Sequence, residues 1–210
     1  MLEQMEWVKP EEIEARSMAI IANEMPAGDW TPGELQVVKR CIHTSADFDY
    51  ARNLWFSEGA VEKACKVLRQ NPVIVTDTNM CAAGINKTAL GKLGIAVRCF
   101  MADPDVAVEA KNRGVTRAVV SMERAAEISG PLILAVGNAP TALIRIYELV
   151  KEGRMKPSFL IAAPVGFVNV VEAKEQIMTL DVPCIVAKGR KGGSGIAAAI
   201  CNALLYQVTE

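Results

Sequence analysis

The chain has 210 residues, of which 51% are hydrophobic, and a formal charge of -1 at neutral pH. That length and apolar content can bury one sizeable core, and the near-neutral charge leaves no basic footprint for nucleic acid. No basic start leads into an apolar run and no apolar stretch reaches roughly twenty residues, so the sequence predicts a single cytoplasmic domain over 1–210, with no membrane partner.

In chain order, Pro10 to Met25 has helix chemistry: Pro10 suits a first turn, acids follow, and Ile13, Ser17, Ile20, Ile21 and Met25 repeat near helical spacing before Pro26-Ala27-Gly28. A second helix is expected from Thr31-Pro32-Gly33-Glu34, with Thr31 as cap and Glu34 closing a capping box, and it runs into His43. A third opens at Ser57-Glu58-Gly59 and carries Val61, Ala64, Cys65 and Leu68 on one face to about Gln70. Short apolar runs then alternate with helical patterns. The expected strands are Pro72–Val75, Ile95–Cys99, Ala118–Val120, Leu132–Val136, Phe159–Ala162 and Cys184–Val186. The expected helices are Asn79–Gly84, Asp105–Arg113, Glu123–Ile128, Thr141–Glu152, Val168–Thr179 and Ser194–Tyr206. Most strands lack polar alternation, as strands buried on both faces do, and the βα alternation predicts a mainly parallel sheet with helices on both sides. The cysteines (Cys41, Cys65, Cys81, Cys99, Cys184, Cys201) lack the close spacing of zinc sites and read as buried reduced thiols, so no metal site is expected.

His43 is the only histidine. No other side chain titrates near neutrality unaided. It lies where an apolar run gives way to hydroxyls (Thr44, Ser45) and carboxylates (Asp47, Asp49), with Lys39 and Arg40 before it. A lone histidine in such a place can simply cap or pack a segment end, or it can carry a proton. An imidazole of ordinary pKa, about 6.5, is roughly a quarter protonated at pH 7 and makes a workable acid.

Ligands of open α/β sheets bind beyond the C-terminal ends of the strands. Four such stretches are unusual here: Thr76-Asp77-Thr78-Asn79-Met80, Gly137-Asn138-Ala139-Pro140-Thr141, Pro164-Val165-Gly166-Phe167 and Gly189-Arg190-Lys191-Gly192-Gly193-Ser194. Most lead into a helix whose free N–H groups attract anions, and together they predict one anion-rimmed pocket. A Gly-Asn-Ala-Pro turn also serves as a plain strand-to-helix connection. The last loop lacks the Gly-Lys-Ser/Thr ending of a Walker loop, and no G-x-G-x-x-G follows the first strand, so no nucleotide is indicated.

His43-Thr44-Ser45-Ala46-Asp47-Phe48-Asp49, Gly137 to Leu143, Pro164 to Phe167 with Glu172-Ala173-Lys174, and Gly189 to Ser194 resemble the motifs of precorrin-8 methylmutases. Arg16-Ser17 and Thr116-Arg117 match in the same order, so the resemblance spans essentially the whole chain. It implies a three-layer flavodoxin-like fold, a homodimer, and an isomerase of cobalamin biosynthesis. The implied reaction moves a methyl group from C-11 to C-12 of a tetrapyrrole (corrinoid) substrate, giving hydrogenobyrinate or its cobalt form, cobyrinate. A 1,5-shift around a conjugated ring needs a proton and a held geometry rather than a cofactor or a nucleophile. By the resemblance, His43 is the proton donor. The substrate's carboxylates would meet Arg16, Ser17, Arg117, Arg190 and Lys191, with Asp77, Met80, Gly84, Asn138, Gly166, Gly192 and Gly193 completing the binding positions. The Thr-Ser-Ala-Asp-Phe-Asp run is closer to members of the cobalt-early pathway. Two other classes stay open: a non-catalytic corrinoid carrier, which would not need His43, and a phosphate-handling α/β enzyme using the last glycine-rich loop.

Overall fold

The computed structural model describes residues 7–209. Helix α1 (Pro10–Glu24) begins on its proline with Glu11 and Glu12 in the first turn, at the positive end of the dipole. Helix α2 (Pro32–Ser45) has the expected capping box in full: Thr31 N–H donates to the Glu34 carboxylate at 2.9 Å and Glu34 N–H donates to Thr31 Oγ1 at 3.3 Å. Val37, Val38, Cys41 and Ile42 form its buried stripe. The chain leaves α2 through Ala46 in the left-handed region, passes a single turn of helix, α3 (Tyr50–Asn53), and enters strand β1 (Leu54–Phe56).

Helix α4 (Ala60–Leu68) then leads to β2 (Val73–Thr76), α5 (Asn79–Gly84), α6 (Lys87–Leu93), β3 (Ala96–Arg98), α7 (Pro104–Arg113) and α8 (Arg117–Ala126). The chain continues with β4 (Leu132–Val136), α9 (Pro140–Lys151), β5 (Phe159–Ala162), α10 (Val170–Met178), β6 (Cys184–Ala187) and α11 (Ser194–Thr209). The sheet order is β1-β6-β5-β4-β2-β3, parallel throughout except for β1, which runs antiparallel to β6. Without β1 this is the flavodoxin-like order, in which the order of winding reverses between β2 and β4 while the strands stay parallel.

Three layers follow from side-chain alternation. Ile133, Ala135, Phe159, Ile161 and Ile185 face α2, α4, α5, α6 and α11, whereas Leu132, Leu134, Leu160, Ala162 and Val186 face α8, α9 and α10. Both faces are dry, which is why the strands read as continuous apolar runs.

The structure corrects three local expectations. Ala118–Val120 is not a strand but part of α8, whose cap, Thr116, accepts the Val119 N–H at 3.3 Å. Ala118, Ser121, Met122 and Ala125 are buried at helical spacing, so a polar residue in the stripe had hidden the period. β1 and α6 were not anticipated. β1 has three residues and owes its existence to β6, and α6 is announced only by the Asn86 cap, whose side chain accepts the Ala89 N–H at 3.0 Å. Ser57 does not open α4; its hydroxyl accepts the Cys184 N–H at 2.9 Å and ties the end of β1 to β6.

Candidate active site

The four loops at the C-terminal ends of the parallel strands interlock at the topological switch point. Asp77, immediately after β2, is fully buried, and its carboxylate accepts N–H groups from Gly137 (2.8 Å), Asn138 (2.8 Å) and Ala139 (2.7 Å). Burial pushes this carboxyl up and the three donors pull it back. The N-terminus of α9 thus already holds an anion, the protein's own. Thr78 Oγ1 lies 2.7 Å from Ser194 Oγ at the start of α11, and a Cβ on Gly137 would stand 2.6 Å from the Ser194 Cα. On the other side, Gly193 N–H donates to Ala163 O at 2.8 Å and Gly166 N–H to Arg190 O at 3.1 Å. A Cβ on Gly192 would run into the carbonyls of Ala163 and Pro164, so only glycine fits there.

Consequently the expected single anion-rimmed pocket is replaced by a knot of backbone with a hollow on each side. The first, of about 270 Å³, is lined by Ser17, Ile20, Ile21 and Glu24 of α1 and by Ile42, His43, Ala46 and Phe48. The second, of about 250 Å³, is lined by Asp77, Thr78, Asn79, Met101, Ala102 and Arg117. Thr44, next to His43, lies near Gly195 at the first turn of α11. Larger hollows of about 380 and 310 Å³ lie among α7, α8 and α9, but their lining charges neutralise one another through Arg113, Arg124 and Arg145 paired with Glu109, Glu123 and Glu148.

His43 occupies the last turn of α2, half-buried, and neither imidazole nitrogen has a hydrogen-bond partner among the described residues. Ile20, Ile21 and Phe48 give its hollow largely apolar walls. The segment after it is fastened from a distance: Lys191 Nζ donates to Asp47 and Asp49, each at 2.6 Å. Lys191 holds Asp47 well below the usual carboxylate range through this bond. Lys191 thus tethers the last glycine-rich loop to the segment that follows His43.

The other expected positions divide in two. Ser17 joins His43 in the first hollow, and Arg16 lies beside it on exposed α1. Arg117, at the first turn of α8, lines the second hollow, where its guanidinium donates to Met101 O at 3.2 Å. Asn138, Gly166 and Arg190 reach the surface of the loop knot, with Arg190 stacked 5.5 Å from the ring centre of Phe167, and Met80 is exposed on α5. Asp77 borders the second hollow with its carboxylate buried, and Gly84 is exposed at the end of α5. Asp77 spends both oxygens on the β4–α9 loop, and Gly84 packs so closely on α11 that a Cβ would come within 2.9 Å of the Ala198 side chain. Gly192 likewise serves the close approach of loops, whereas Gly193, at a φ of +129° with open space where a Cβ would stand, contributes its N–H to Ala163 O. Glu24 and Phe48 in the His43 hollow were not foreseen. No group of metal-binding side chains occurs among the described residues, and no described helix is long and apolar enough to cross a membrane.

Comparison with known proteins agrees with this geometry. Residues 12–207 match the family described as precorrin-8X methylmutase. A protein of Priestia megaterium named cobalt-precorrin-8 methylmutase is 40% identical over 94% of this chain and 88% of its own length. The Salmonella typhimurium protein of the same name is 41% identical, with 96% of this chain and 97% of that protein covered. The crystal structure of precorrin-8x methyl mutase from Thermus thermophilus superposes with a TM-score of 0.87 at 37% identity, covering 94% of this chain and 98% of that one. A chain that matches the family over residues 12–207, shares about 40% of its residues with such relatives across most of both lengths and superposes on their fold belongs to the precorrin-8X methylmutase family.

Proposed function

We propose that this methylmutase, an isomerase of cobalamin biosynthesis, moves a methyl group from C-11 to C-12 of a precorrin-8-type macrocycle, with His43 as the proton donor. The observation that carries this reading is the position of the lone imidazole. It is half-buried in a hollow with largely apolar walls, next to the segment that Lys191 ties to the loops at the sheet's switch point. Protonating the conjugated ring withdraws electron density along it, which favours migration of the methyl with its bonding pair; the proton then returns to the imidazole as the rearranged ring is released. No other described side chain in that hollow except the Glu24 carboxyl could exchange a proton, and a carboxylate is a poor acid at neutral pH. Arg16, Ser17, Arg117, Asn138 and Arg190 are the groups we assign to the peripheral carboxylates. Asp77, Gly192 and Gly193 act through the loops they shape, and Gly84, exposed at the end of α5, lets that helix approach α11 closely.

A hollow of about 270 Å³ falls at the small end of the roughly 300–1,000 Å³ usual for small-molecule sites and takes only one edge of a corrin. We infer that a second copy of the chain completes the enclosure in a two-fold homodimer. The adjacent exposed Phe167 (82%) and Val168 (75%) support this, because contiguous apolar surface marks a place of contact. We also infer a cytoplasmic location; six free cysteines, five of them buried, suit a reducing compartment. The relatives at 40% and 41% identity are both named for the cobalt substrate, which favours a cobalt-bearing precursor here. Incubating the purified protein with cobalt-bound and metal-free precursor, and following the absorption change of the macrocycle, tests the reading. Conversion of neither would reject it, and faster conversion of the metal-free ring would reject the cobalt preference.

A further inference from the structure

Lys174 lies in the buried stripe of α10 with Val170, Ala173 and Ile177, and only 1% of it is exposed. Lysine is almost never this buried without an acidic partner. None is present among the described residues: the ammonium donates instead to two backbone carbonyls, Gly189 O at 2.8 Å and Lys191 O at 2.9 Å. The carbonyl between them, of Arg190, accepts the Gly166 N–H, so three consecutive carbonyls of one loop are held from the α10 side. Pinning the carbonyls inward leaves the side chains of Arg190 and Lys191 outward. Arg190 then rests on Phe167, and Lys191 reaches Asp47 and Asp49.

We propose that Lys174 is a positioning residue of the active site: its ammonium clamps the loop over 189–191 in the shape that presents Arg190 to the substrate and lets Lys191 tether the segment following His43. The proposal rests on the reading above in which this loop binds substrate. The desolvation cost is the reason to expect a purpose, since a methionine of similar shape would fill the stripe without burying a charge. Loss of the charge frees the loop at one end and, through Lys191, loosens residues 46–50 at the other.

The test compares wild type with Lys174→Met and Lys174→Gln by hydrogen exchange of the ligand-free protein and by steady-state kinetics. In Lys174→Met, amides within 188–195 and 46–50 should exchange about tenfold faster or more, while β4 and β5 keep their protection. KM for the corrinoid should rise about tenfold with kcat changed far less, a split that a merely structural loss would not produce. The Gln variant keeps an N–H donor one bond short of the carbonyls and should show both changes at smaller size, which preserves the test if the Met variant does not fold. Unchanged exchange in both loops would overturn the clamp. Faster exchange with unchanged KM would overturn the substrate-binding reading of the loop, and the positioning role with it.

Discussion

Replacing Asp77 by asparagine alters one atom in the most heavily bonded side chain of the switch point. Its Oδ1 accepts Gly137 N–H, and Oδ2 accepts those of Asn138 and Ala139. An asparagine has one oxygen to offer. If that oxygen keeps Asn138 and Ala139, the NH₂ group faces the Gly137 N–H, donor against donor, across a distance of 2.8 Å in a fully buried site. A charge-assisted hydrogen bond contributes about 1.5–3 kcal/mol and an orphaned buried donor costs about 1–3 kcal/mol. Relief from burying a carboxylate offsets part of this, so Asp77→Asn should destabilise by about 3 kcal/mol, roughly a 10 °C fall in Tm for a chain of this size. Because the broken bonds shape the loop bearing Asn138, KM should rise as well. Urea unfolding at pH 7 and initial-rate kinetics measure the two effects. A variant within about 0.5 kcal/mol of wild type would show that the loop holds itself and would refute the reasoning.

Further outcomes are expected at three sites. His43→Asn should lower kcat by about 10²- to 10⁴-fold while leaving thermal unfolding near wild type, since the imidazole has no internal hydrogen bond to lose; near-normal single-turnover rates in the folded variant would remove it from the mechanism. Arg190→Ala should raise KM more than it lowers kcat, and wild-type KM should climb with added salt; a pure kcat defect would assign Arg190 to the transition state instead. Burial holds the Lys174 ammonium down, to about 8 from an ordinary 10.5. Between those values the unfolded chain binds more protons than the native one, so stability rises with pH across that window, the burial cost being complete below about 8 and gone above 10.5. The gap between wild type and Lys174→Met in unfolding free energy should therefore shift toward wild type by at most about 3 kcal/mol, and parallel pH curves would contradict it.

The features readable from the sequence are those with a local cause. The capping box at Thr31 and Glu34, the apolar strands Leu132–Val136 and Phe159–Ala162, and the isolation of His43 each announce themselves within a few residues. Asp77 was picked out as a loop-tip residue, but that it serves a loop 60 positions away depends on two strands becoming neighbours at the switch point. Lys191 and Asp47 belong to the same case. Opposite charges at opposite ends of the chain carry no mark of each other, and a basic residue in a glycine-rich loop looks like a ligand cation until its partner is seen. Lys174 could have been noticed as the one charge on an otherwise apolar stripe with Val170, Ala173 and Ile177.

The antiparallel edge strand also sets an order of events during synthesis. β1 can pair only with β6, and α2 and α4 find their main helical neighbour in α11, so the segment that carries His43 is made early and waits for elements made last. At about 5–20 residues per second that wait is on the order of ten seconds, during which the apolar faces of both helices lack their cover. Until then the nascent chain can assemble β2, β3, β4 and β5, while α2 and α4 stand without the cover of α11. A ribosome that stalls before β6 would leave a four-stranded sheet with β1 unpaired and the buried stripe of α2 open to water.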